Sequence, residues 1–277
     1  MTTDTMTATA PPDYLLQLAD NALILGQRNA EWCGHGPALE EDLALANNSL
    51  DLIGQARLLY QHVAAVRKDG KSSEDLLAYF RNVPDFKNYT LLELPHRTAI
   101  LPTSSGDRDY AVTIARNFLY NALMVQVWAA LAASTDAQLA AIASKSLKEV
   151  QYHLRHAHDW VLRLGDGTDE SHRRMQAAFD YLMPFTQEFW TPSAMEAAAV
   201  KAGVGVDASA FKAEWDAMVN DTLQAATLKV PASTGFVTTG KHGVHSEHMG
   251  FVLAEMQSLA RAHPEACLLY TSDAADE

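Results

Sequence analysis

A glutamate and a histidine one helical turn apart are the first chemistry the chain offers. LKEVQYHLRHAHDW, residues 147–160, holds Glu149 and His153, with His156 and His158 just beyond. Carboxylate and imidazole on successive turns can ligate iron or zinc. A helical-bundle di-iron site combines two Glu-x-x-His pairs with a carboxylate from each of two further helices, all projecting inward. The Glu-x-x-His match at Glu93 and His96 encloses Pro95, in a stretch where no regular helix presents both side chains inward. Asp169-Glu170-Ser171-His172 is a weaker variant at a helix start. A second cluster, KHGVHSEHMG at 241–250, spaces His242, His245 and His248 three apart with Glu247 beside them, and three imidazoles can hold zinc. Glycine breaks that segment, and Ser246 reads as the cap of the last helix. Local structure or a partner contact is therefore favoured, with a zinc-binding helical protein as the alternative. There is no GxSxG, Walker loop or GxGxxG after a strand.

The elements that must position these residues read as helices. Leu15, Leu18, Ala22 and Leu25 recur at helical spacing between Tyr14 and Glu31. A break at Gly34-His35-Gly36-Pro37 follows, and Pro37 suits the first turn of a second long helix through Leu43, Leu50, Ile53 and Leu58 to about Val66. Residues 67–108 have the composition of a long crossover with one short helix inside. A third helix starts near Asp109, and a fourth spans about Asp136 to Leu164. Thr168 can cap a fifth with an acidic first turn, and further helices are expected near 193–202, 207–226 and 246–263. No β-alternation appears. The class is all-α, a ferritin-like four-helix bundle with a long crossover and additional C-terminal helices.

On the fourth helix Leu139, Ala143, Leu147, Val150, Leu154, Ala157, Val161 and Leu164 form the core row. His153 falls at its margin, and its inward neighbour three residues back is Val150, which cannot ligate. Glu149 lies further round as a surface or interface carboxylate, while His156 and His158 are expected on a solvated face. The favoured reading of His153 is a core histidine held by hydrogen bonds.

Composition narrows the function. With 277 residues and 48% hydrophobic content the chain can bury a substantial core, read as a single domain over 13–264 after a frayed leader, 1–12. A formal charge of −13, from 34 acidic against 21 basic residues, argues against nucleic acid and anionic membranes as main partners. Two cysteines, Cys33 and Cys267, give no disulfide framework, and a cytoplasmic location fits. No apolar run approaches a membrane span.

Four separated stretches carry a resemblance: LGQRNAEWCGHGPALEEDLALANNSLDLIGQARLLYQ at 25–61, DYAVTIARNFLYNAL at 109–123, LKEVQYHLRHAHDWVLRLGDGTDESHRRMQ at 147–176 and GKHGVHSEHMGFVLAEMQ at 240–257. Over about residues 14–264 the chain resembles the family of structural C subunits of bacterial ring-1,2-phenylacetyl-CoA epoxidases, multicomponent oxygenases of aerobic phenylacetate breakdown. The resemblance implies a ferritin-like, non-catalytic subunit without a cofactor of its own. Such a subunit pairs with a homologous catalytic subunit that holds the di-iron centre, and a reductase and small accessory proteins complete the enzyme. Self-association is a further possibility within such an assembly. Laid on this chain, the catalytic subunit's ligand motifs fall on Glu31, Leu52, Gln55, Asn121, Val150 and His153, so that only Glu31 and His153 keep ligand types. Trp32, His35, Lys241, His242, His245, Glu247 and His248 become candidates for structure or partner contact. An independent di-iron or manganese oxidase is the rival of the same fold class. Residues 265–277 do not continue the family's usual ending and are expected not to be native family sequence.

Overall fold

A computed structural model describes residues 8–97, 108–232 and 234–264. Most of the leader and all of the 265–277 tail lie outside them. Two helical hairpins form the bundle. In the first, α1 (Pro12–Ala30) returns as α2 (Leu39–Arg67) through the turn at 31–38. Between the hairpins, the crossover carries two short helices, α3 (Glu74–Tyr79) and α4 (Thr90–Glu93), where the spacing predicts one. The second hairpin is α5 (Tyr110–Leu131) and α6 (Ala137–Gly165). Outside the bundle lie α7 (Asp169–Leu182), a 3-10 stretch at Met183–Trp190, α8 (Ala194–Lys201), α9 (Lys212–Ala225) and α10 (Glu247–Ala262). No strand occurs among the described residues, and none of their helices is long and apolar enough to cross a membrane. The fold is all-α and ferritin-like, with one long crossover between paired helices.

The two hairpins divide labour. α5, apolar on most sides, and α1, which buries Gln17, Asp20, Asn21, Arg28 and Asn29 among its apolar residues, are both buried nearly all round. α2 and α6 cover them and keep one face toward water. On α2 the apolar row read from sequence turns outward in its first half: Leu43 and Leu50 are exposed, at 56% and 67%, as is Leu39 before them, at 72%, while Ile53 and Leu58 are half-buried. The inward face is Leu45, Leu52, Ala56, Leu59, Tyr60 and Val63, interleaved with buried Asn48, Ser49 and Gln55. Polar residues can occupy that face because they bond locally. Ser49 Oγ donates to the Leu45 carbonyl at 2.8 Å, and Gln55 reaches α6. Pro37 stands just outside the helix, whose N-cap is Ala38.

Part of the expected leader is docked. Ala10 is fully buried, and its N–H donates to Asp136 Oδ2 at 2.8 Å. Asp136 is also the N-cap of α6, accepting from the N–H groups of Gln138 and Leu139, and its Oδ2 lies 2.8 Å from His62 Nε2. One carboxylate thus joins the N-terminus, α2 and the start of α6. Asp136→Ala is expected to lower unfolding free energy by about 2 kcal/mol, the loss of a cap together with a buried donor left unsatisfied. Urea denaturation of the two proteins measures it, and an unchanged midpoint would contradict the assignment.

Candidate functional site

The level where a bundle metal site would sit is defined by contacts between α2 and α6. Gln55 Nε2 donates to Glu149 Oε2 at 2.9 Å, and His153 Nε2 lies 3.0 Å from Asp51 Oδ2. Between these pairs, Leu52 and Val150 are each 1% exposed. Both sit where the resemblance calls for carboxylates, and neither offers a donor atom. Asn121 on α5 is fully buried, and both its amide atoms lack a hydrogen-bond partner among the described residues. His153 is a buried histidine held by a carboxylate, as the spacing predicts. Glu149 is not a solvated residue. It is largely covered, and links Gln55 with Lys145, whose Nζ lies 3.0 Å away. Nor is His156 on a free face, since its Nε2 lies 2.8 Å from Glu41 Oε2. A di-iron centre does not fit this donor set: two positions are hydrocarbon, one is an amide already engaged, and the imidazole is paired.

Glu31 lies away from that level. A Cβ on Gly26 would touch Leu52 and Ser49, so Gly26 marks the height of Leu52 on α1. Five residues later, Glu31 is roughly 7 Å further along at helical rise. There it forms the C-cap of α1, accepts from Arg28 Nη1 at 2.8 Å and lies 3.2 Å from His96 Nε2. Burial works against its charge, yet His96 and the Arg28 guanidinium hold its carboxyl below the usual range. Burial pushes His96 down to about 4, against the pull of Glu31 and with the help of Arg116. Trp32 closes this cluster, 4% exposed, donating its indole N–H to Thr113 Oγ1 at 2.8 Å. Burial removes it from the candidate contact surface.

A second centre joins residues that no sequence motif groups together. Glu93, Glu188 and Glu196 are buried carboxylates on three separate segments, and the 238–246 strip satisfies all of them. Glu93 accepts from the Ser246 N–H at 2.5 Å and Asn88 Nδ2 at 3.0 Å, and His245 Nδ1 lies 2.7 Å away. Glu188 accepts from the N–H groups of Lys241 and Thr90 and from Thr238 Oγ1. Glu196 takes Lys241 Nζ at 2.8 Å and Gln17 Nε2 at 3.0 Å. Gly240 is required here, because a Cβ would lie 2.5 Å from the Asn88 carbonyl. Gly243, at φ +81°, would press its Cβ on the Pro84 carbonyl. Of the candidate contact residues, Lys241 and His245 are therefore consumed inside the fold. His35, His242 and Glu247 are exposed, and His248 is half-buried. The three histidines do not converge. His245 uses both ring nitrogens, the second 3.0 Å from the Phe86 carbonyl, and among the described residues no group of three or more His, Cys, Asp and Glu side chains could hold an ion.

The family model described as phenylacetic acid catabolic protein matches residues 1–267. The chain belongs to this family. It is 43% identical over 251 residues to the C subunit of the 1,2-phenylacetyl-CoA epoxidase of Escherichia coli (strain K12), covering 91% of this chain and 96% of that one. In this chain, Glu93 and His96 of the crossover belong to two different networks. Their Glu-x-x-His spacing is thus a coincidence of sequence. No sequence signal groups Glu93, Glu188 and Glu196, because the burial of Lys241 that calls for a carboxylate partner emerges only in the fold.

The two histidines give opposite pH dependence. Burial opposes charge on His245, yet Glu93 pushes its pKa above 6.5. The stability it contributes is complete below that value and is lost as pH rises through the folded pKa. His96, held near 4, contributes stability above pH 6.5 that is lost as pH falls toward 4. Urea midpoints should therefore fall on both sides of near-neutral pH, and His245→Gln should flatten only the alkaline side. A variant that flattened the acid side instead would reverse the assignment.

Proposed function

We propose that the chain is the non-catalytic structural subunit of a multicomponent di-iron monooxygenase, in which it binds and stabilises a homologous catalytic di-iron subunit. The complex would use O2 and NADPH, through a reductase component, to epoxidise the ring of phenylacetyl-CoA in the cytoplasm. The relative's name supports the reaction, and the ligand positions support the non-catalytic role. One observation carries it: Leu52 and Val150 are hydrocarbon and buried at the level where bridging carboxylates are needed, with Gln55 and His153 already engaged by Glu149 and Asp51. The rival of an independent di-metal oxidase needs donors at those positions, and the zinc reading needs a convergence that His245 does not offer.

The outer face of α2 suits the contact with that partner. Leu39, Leu43 and Leu50 recur at four and seven residues, so they share one side of the helix, and all three are more than half exposed. Tyr152 of the adjoining α6 is also exposed, at 47%. A catalytic subunit of the same fold would cover this strip with a matching helix. Replacing Leu43 and Leu50 by Glu together should leave the isolated chain folded, since exposed substitutions cost within about 0.5 kcal/mol each. The double variant should fail to co-purify with the catalytic subunit. Retention of a stable complex would refute the α2 contact. Failure of the unmutated chain to bind, or full epoxidation without it, would refute the function.

A further inference from the structure

Trp32, Tyr110 and Trp160 form a continuous ladder of oxidisable rings. Trp32 and Tyr110 meet edge to face with centroids 5.5 Å apart, and Tyr110 meets Trp160 in the same way at 5.4 Å. The ladder joins two surface clefts. One, of about 320 Å3, is lined by Trp32, His35 and Tyr110, and the other, of about 200 Å3, by Glu41, His156 and Trp160. Its middle member has a proton acceptor in place. Tyr110 Oη donates to Glu41 Oε2 at 2.6 Å, and the same oxygen lies 2.8 Å from His156 Nε2.

We propose that this ladder conducts single oxidising equivalents between the two clefts, with Tyr110 as the site where the hole rests. An oxygen-centred radical, as one-electron oxidant, takes an electron from Trp32 and leaves its radical cation. Tyr110 then gives an electron to Trp32 and its phenolic proton to the Glu41 carboxylate, becoming a neutral tyrosyl radical. Coupling the two transfers avoids a buried phenol cation, which is why the tyrosine needs an adjacent base. Trp160 completes the path by giving an electron to Tyr110, which recovers the proton from Glu41. A small thiol or ascorbate-type reductant entering the second cleft restores Trp160. Arg163, 5.4 Å over the Trp160 ring, disfavours positive charge there and biases the hole toward Tyr110.

Two other aromatic features lack one half of the device. Trp190 and Trp215 are 5.2 Å apart, but the Trp215 indole N–H donates to the Leu119 carbonyl, which cannot take a proton. Tyr60 donates to Asp20 at 2.6 Å, yet the group against its ring is the Arg81 guanidinium, which is not a redox partner.

Flash oxidation of the full chain with tris-bipyridine ruthenium(II) and persulfate, followed by freeze-trapped EPR, tests this. The unmutated protein should give a neutral tyrosyl signal that forms more slowly in D2O, because the Tyr110 proton moves with the electron. Tyr110→Phe should replace it by a shorter-lived tryptophan signal, Trp32→Phe should lower the tyrosyl yield, and Trp160→Phe should prolong the tyrosyl signal by removing its reductant. Glu41→Gln should slow its formation, with circular dichroism confirming that each variant is folded. An unchanged tyrosyl signal in Tyr110→Phe, or no solvent isotope effect in the unmutated chain, would overturn the proposal.

Discussion

Hydrocarbon at the centre of the bundle is the constraint on which the rest depends. Leu52 on α2 and Val150 on α6 are buried at one height, and Gln55 and His153 beside them pair within the protein, while buried Asn121 on α5 keeps both amide atoms unpartnered among the described residues. Gln55 takes Glu149, and His153 takes Asp51. These pairs fasten α2 to α6 at the rim of the apolar centre. A bundle of this kind gains rigidity where a metalloprotein would keep donors free for an ion.

A second constraint follows from burying acid. Glu93, Glu188 and Glu196 are drawn from α4, the 3-10 stretch at Met183–Trp190 and α8, and each would cost several kcal/mol if left unpaired. The 238–246 strip supplies the side chains of Lys241, His245 and Thr238 and the backbone N–H groups of Lys241 and Ser246 in one short run. It thereby holds the crossover and the C-terminal helices to the bundle. The histidine-rich sequence there is explained by acid that must be neutralised.

The helices were legible because their caps and periodicity are local. Thr168 and Ser246 cap where the sequence places them, and Asp109, Asp136 and Ser193 cap the helices expected to start near those positions. What failed was facing on α2, where apolar residues occur on both sides and local pattern cannot say which side is covered. Long-range pairs were equally hidden. Glu93 with His245, or Tyr110 with Glu41, joins positions tens of residues apart through the tertiary fold. Glu31 shows the same limit, since its height on α1 depends on which residues of α2 lie opposite.

Together the apolar centre and the solvent-facing leucines of α2 suit a protein whose proposed role is to support another's chemistry. The most direct test is anaerobic titration of the purified, metal-stripped chain with ferrous iron, followed by elemental analysis after desalting. The account predicts that no stoichiometric iron is retained, because Leu52 and Val150 leave a di-iron pair without bridging ligands. Retention of two irons per chain, lost on substituting His153, would contradict it.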